Sequence, residues 1–175
     1  MKRKSLLIGA VLFTALAFSA CGSTEDKSDS SSKSTPTESA SESTDDNKEI
    51  DINEVAEAIT SEVKFDNELA VQDETVANSY FQLAEGTEAI VYFSSDPQCY
   101  DTVALFSCAS DDDVAAVLDN VQLYIDGVKE QTEKYLPEEA EKVENAIVKS
   151  EGNCAVLCIT NDSDTANEVI GRFFN

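Results

Sequence analysis

The chain has 175 residues, with 35 acidic side chains against 12 basic ones and a formal charge of −23 at neutral pH. That length allows one domain and extensions. A field of that sign, with no basic patch to offset it, excludes nucleic acid as a partner and repels anionic surfaces. Histidine and tryptophan are absent, which removes Ser–His and Cys–His nucleophile activation, histidine zinc sites and the commonest general base. No P-loop, GxGxxG or HExxH occurs.

In chain order, residues 1–20 read as an export signal. Lys2, Arg3 and Lys4 form a positive start, and Leu6 to Phe18 form an apolar stretch well short of the ~20 residues that span a bilayer. It ends in Phe18-Ser19-Ala20-Cys21-Gly22, which resembles the lipobox of bacterial lipoproteins. In that pattern cleavage precedes the cysteine, whose sulfur carries a diacylglycerol. The departure is Phe18, where leucine is usual. Cys21 is therefore the expected lipidation site, anchoring the chain to the extracytoplasmic face of the cell membrane. Loss of the three positive residues lowers −23 to −26. Residues 21–49 then run through Ser, Thr, Asp, Glu and Lys, with Ala40 the only apolar side chain apart from Pro36. Such a segment cannot bury enough surface to offset its ordering entropy. It reads as a tether reaching ~30 Å as a flexible coil.

Residues 50–175 read as a single α+β domain. Asp51 with Glu54 resembles a capping box, and Ile52, Val55, Ala56, Ile59 and Val63 mark a short amphipathic helix. Phe65 to Leu69 reads as a loop, and Asp73 to Tyr80 as a second short helix. Thr87 to Ser94 and Asp101 to Cys108 are strands flanking the turn Asp96-Pro97-Gln98. A long helix follows from Ser110 to Pro137, its apolar face made by Val114, Val117, Leu118, Val121, Ile125, Val128, Tyr135 and Leu136. Val143 to Ser150 and Cys154 to Thr160 form a second hairpin about Glu151-Gly152-Asn153. The last helix carries Ala166, Val169, Ile170 and Phe173. Hairpin then helix thus occurs twice, which predicts a four-stranded antiparallel sheet (ββαββα) with the two later helices on one face.

Ala89 to Phe93, Val103 to Phe106 and Cys154 to Ile159 are continuous apolar runs, so these strands are expected to be buried on both sides. The second face is left to residues 51–63 and 73–81. Phe65, Leu69, Tyr80 and Phe81 are expected to close part of it and leave a ligand or partner groove beside them.

Ile52 to Ile59, Asp101 with Ala104-Leu105-Phe106, and Ser110-Asp111 form an ordered pattern. It continues in Tyr135-Leu136-Pro137-Glu138-Glu139, Glu144-Asn145-Ala146 and Gly152-Asn153. Over residues 50–172 this pattern resembles a family of lipoproteins from Gram-positive bacteria known only as a domain of unknown function. The resemblance implies location and domain extent and transfers no catalytic residue. Cys99, Cys108, Cys154 and Cys158 depart from it.

Asp111-Asp112-Asp113 and Asp162-Ser163-Asp164 lack the spacing of a calcium loop and sit where helix N-termini are expected. Cys154 and Cys158 lie ~13 Å apart along one strand, too far to bridge, and Cys99 and Cys108 fail likewise. A disulfide would have to join the two hairpins; four reduced, buried thiols are the simpler expectation. No metal or cofactor is implied. The sequence reading is a non-catalytic binding or interaction module. Its partners would be the membrane, through the lipid on Cys21, and an envelope protein or small ligand. A small-solute-binding lipoprotein is the alternative, and a carboxylate-based hydrolase a more distant one.

Overall fold

The computed structural model describes residues 50–175; the expected export signal (residues 1–20), the expected lipidation site Cys21 and the stretch 21–49 read as a tether lie outside the described residues. The elements run α1 (Ile52–Glu62), β1 (Leu69–Val71), α2 (Glu74–Phe81), β2 (Glu88–Ser94), β3 (Thr102–Ser107) and α3 (Asp111–Tyr135). A 3-10 turn (Pro137–Glu139) leads into α4 (Ala140–Glu144), β4 (Ile147–Glu151), β5 (Cys154–Ile159) and α5 (Ser163–Ile170). All strand pairs are antiparallel, and the sheet has five strands in the order β1-β2-β3-β5-β4.

Helices α1, α2 and α3 start where short polar side chains take up their free N–H groups. Asp51 accepts from Asn53 N at 2.8 Å, and Asp73 accepts from Val76 N at 2.9 Å. Ser110 accepts from Asp113 N at 3.3 Å and donates its hydroxyl to the Asp113 carboxylate at 2.6 Å. The run of three aspartates is thus a helix start with its charge at the positive end of the dipole.

Four expectations are corrected. The sheet has a fifth strand, β1, inside the stretch read as loop and its continuation. Three residues carry no periodic signal of their own, and Val71 pairs with Tyr92 because β2 offers an unpaired edge. The strand expected from Val143 begins at Ile147, since Val143 is buried within α4. On α3, Tyr135 is 77% exposed and Thr132 is buried in its stead. At 3.6 residues per turn Tyr135 is in phase with the buried Val117; it is exposed because it is the last residue of the helix, past Thr132 where the buried stripe ends.

The fourth correction concerns the faces. The later helices do not share one. Strand alternation sends Val103, Leu105, Cys154, Val156 and Cys158 into a core with α1 and α5. Ala104, Phe106, Ala155, Leu157 and Ile159 join α2 and α3 on the other side. With 25 residues, α3 is roughly 37 Å long at ~1.5 Å per residue and covers most of one face. The eight residues of α5 complete the opposite face only together with α1. Strands β3 and β5 are buried along almost their whole length, as their continuous apolar runs require, but the run Ala89 to Phe93 in β2, also expected to be buried on both sides, is only half-buried apart from Val91.

A cavity above a buried ammonium cluster

A cavity of about 500 Å³ opens between the end of α2, the β2–β3 connection and the middle of α3. Its aromatic wall has a definite geometry. Phe93 and Tyr124 lie near-parallel, with centroids 5.9 Å apart and planes at 19°. Tyr80 stands almost perpendicular to both, at 73° and 5.1 Å to Phe93 and at 89° and 5.8 Å to Tyr124. Tyr80 and Leu123 form an apolar rim, 50% and 64% exposed. Polar groups converge on the same space. The Tyr100 hydroxyl donates to Gln131 Oε1 at 3.0 Å, and the Tyr124 hydroxyl lies 3.1 Å from Thr102 Oγ1. Burial pushes the Tyr124 phenol up to about 12, so it stays neutral at physiological pH. Asp96 supplies a carboxylate, that of Asp101 is fully buried against Lys142, and no Lys or Arg is among the lining residues.

Behind Cys99 and Asp101 lies a buried lysine. Lys142 is 2% exposed, and its Nζ lies 2.6 Å from Asp66, 2.9 Å from Asp101 and 2.9 Å from Glu139. The same nitrogen donates to Cys99 Sγ at 3.4 Å. Burial works against the ammonium, but the hydrogen bonds to Asp66, Asp101 and Glu139 outweigh it and hold the group charged well above its ordinary range. The carboxylates are anchored in turn. Asp101 Oδ2 accepts from Asp66 N at 2.6 Å, Glu139 accepts from Tyr100 N at 2.9 Å, and Asn161 donates to Asp66 at 2.7 Å. Asp101 Oδ1 makes no well-angled hydrogen bond and is held by the Lys142 charge alone. One ammonium thus ties together the α1–β1 loop, the β2–β3 connection, the 3-10 turn, α4 and the loop after β5.

The ligand atoms of Asp66, Cys99 and Glu139 lie within 4.8 Å of one another, a spacing that could hold a metal ion. Lys142 Nζ sits within ion-pair or hydrogen-bond range of all three. The resident cation of this cluster is the ammonium.

The expected groove residues are divided between the two faces. Tyr80 lines the cavity. Phe81 is fully buried beneath it, its ring 5.1 Å from Phe106 and 5.2 Å from Tyr124. Phe65 and Leu69 pack against the opposite core, on the α1 and α5 side. Phe93, Asp96, Tyr100, Leu123 and Tyr124 were not anticipated. The signal available for them was Tyr124, a large residue beside the apolar stripe of α3, and Leu123, a large apolar residue on the side away from it. No disulfide joins Cys99, Cys108, Cys154 and Cys158.

Residues 61–160 match the family described as Domain of unknown function (DUF4358). The chain belongs to that family. The matched span of this DUF4358 chain holds every cavity-lining residue and the whole ammonium cluster apart from Asn161. It omits nearly all of α1 and all of α5. No curated protein and no solved structure matches the chain. Among the described residues, no helix is long and apolar enough to cross a membrane.

Proposed function

We propose that this DUF4358 chain is a non-catalytic binding module, held at the outer face of the cell membrane through a lipid on Cys21, as in the Gram-positive lipoproteins it resembles. Its ligand is a small solute seated in the cavity between α2 and α3. The cavity carries this reading: about 500 Å³ with an apolar rim and converging polar groups suits a small molecule. An envelope-protein partner would call instead for a broad flat patch, and the exposed apolar residues Tyr80 and Leu123 border the cavity. A hydrolase with two working carboxylates fits less well. Asp101 is committed to Lys142 and to backbone N–H groups, which leaves Asp96 without a partner acid in the cavity.

Gly127 gives a clean test. It lines the cavity, and a Cβ built there meets nothing within 4 Å. Gly127→Phe should therefore fill the site while leaving the core intact. Ligand-observed NMR of small-molecule mixtures should find compounds that bind the wild-type protein and lose binding in Gly127→Phe. Hits that bind both proteins equally would place recognition elsewhere and sink the proposal.

A further inference from the structure

We propose that the cavity selects an organic cation, an ammonium group carried on an apolar body. This inference rests on the binding reading above and names its ligand class. The first support is the ring geometry. A near-parallel pair, Phe93 and Tyr124, meets the perpendicular ring of Tyr80, and the three rings pack in mutual contact as one aromatic corner of the cavity wall. A cation does not fit between rings in contact, but their quadrupoles attract it to the ring surface that the corner turns to the cavity. The second support is charge. Asp96 is the carboxylate a ligand can meet, since that of Asp101 is fully buried against Lys142, and no basic side chain lines the cavity. The cluster behind it sets three carboxylates against one ammonium, which leaves a negative excess next to Cys99 and Asp101. Lys142 cannot lend its charge to a ligand anion, since its side chain is fully buried and bound by those carboxylates. An anionic ligand would meet repulsion from the wall, the cluster and the whole molecule at −23. A neutral ligand would leave the field unused.

The third support is Asp96 itself. Its Oδ1 accepts from Gln98 N at 2.9 Å, which fixes the carboxylate at the cavity edge without neutralising it. No basic residue pairs with it among the described ion pairs. A cation on the aromatic corner would gain the ring faces on one side and this carboxylate on the other.

The test titrates three probes into the purified full chain, following tyrosine ring signals by NMR: choline, its neutral isostere 3,3-dimethylbutan-1-ol, and p-cresol. Choline should shift the Tyr80 and Tyr124 rings, and the isostere should bind about tenfold more weakly, the scale of a partly desolvated cation–π contact. Asp96→Asn and Tyr80→Ala should each weaken choline by roughly that factor, and Gly127→Phe should abolish its binding. Equal binding of choline and its isostere overturns cation selectivity and leaves the binding site standing. Binding of p-cresol without choline has the same meaning. Choline shifts that persist in Gly127→Phe overturn the inference by placing the cation elsewhere. If none of the three probes moves any cavity residue, the inference and the binding reading fall together.

Discussion

Lys142 carries the largest single electrostatic commitment in the domain, and its energetics follow from burial. Replacing it by Met would leave Asp101 fully buried with an uncompensated charge and set three carboxylates against one another. Breaking a buried pair in this way costs about 3–5 kcal/mol, a large part of the ~5–15 kcal/mol that stabilises a typical domain. Lys142→Met should therefore lower the denaturation midpoint sharply; a near-normal midpoint would show the cluster to be dispensable. Alkali probes the buried acids. Burial, with the Asp101 charge adding to it, pushes the Cys158 thiol from 9.0 up to about 12, and burial takes Tyr124 from 10.0 up to about 12. In both, the folded state keeps a proton that the unfolded chain releases. Their contribution is whole below 9.0, where the unfolded thiol begins to ionise, and is lost as pH rises towards about 12. Lys142, also raised, adds a loss of the same sign only above its ordinary value. The urea midpoint should therefore fall through that window, and Cys158→Ala should fall less steeply; an unchanged slope would clear the thiol. None of this was readable in advance. Lys142 is one lysine in an acid-rich segment, and only the fold brings Asp66 and Asp101 to it.

At the scale of elements, legibility followed the strength of the local signal. Helix α3 was readable because Ser110 caps it, Pro137 ends it and Val114 to Val128 hold one stripe. Strands β3 and β5 were readable because their unbroken apolar runs are buried on both faces, whereas the similar run of β2, beside the three-residue edge strand β1, is half-buried apart from Val91. Strand β1 was not, because Leu69-Ala70-Val71 becomes a strand only by pairing with β2. The facing of the helices was missed for a similar reason: repeated hairpin–helix order says nothing about which side each helix takes. The candidate site was legible only at Tyr80, since Phe93 and Tyr124 converge on it through tertiary packing. The extent of the buried stripe on α3 can be tested by comparing its middle with its end. Val121 and Ile125 are 1% and 4% exposed, so an aspartate at either place buries an unpaired charge, costing several kcal/mol, and should unfold the domain. Tyr135→Ala, on the exposed side, should change stability by about 0.5 kcal/mol or less. Thermal melts of the three variants decide the matter: a large loss at Tyr135 would carry the core to the end of the helix, and none at Val121 and Ile125 would remove them from it.

For the whole molecule, two boundaries matter. One is the anchor: Cys21→Ala should shift the protein from the membrane to the soluble fraction or leave it uncut, and unchanged retention of a processed product would remove the lipoprotein reading. The other is where the folding unit ends. The family match stops at residues 61 and 160, yet the core on one side of the sheet is built from both ends of the described chain. Ile52, Val55 and Ile59 from α1 meet Val169, Ile170 and Phe174 from the α5 end over Val103, Leu105, Val156 and Cys158. A fragment of residues 61–160 would lose those six large side chains and leave the sheet bare on one face. At ~1.5–3 kcal/mol for each buried side chain, the loss is on the order of 10 kcal/mol, comparable with the entire stability of a domain. The exposed face would also invite association. Residues 50–175 keep both cores and should unfold in one cooperative transition with the midpoint of the full chain. The fragment 61–160 should show no cooperative transition, fast amide exchange in β3 and β5, and aggregation at modest concentration. A folded, monomeric 61–160 fragment with protected β3 and β5 amides would mean that the face above Val103 and Val156 needs no cover, and that α1 and α5 are additions to a domain complete without them.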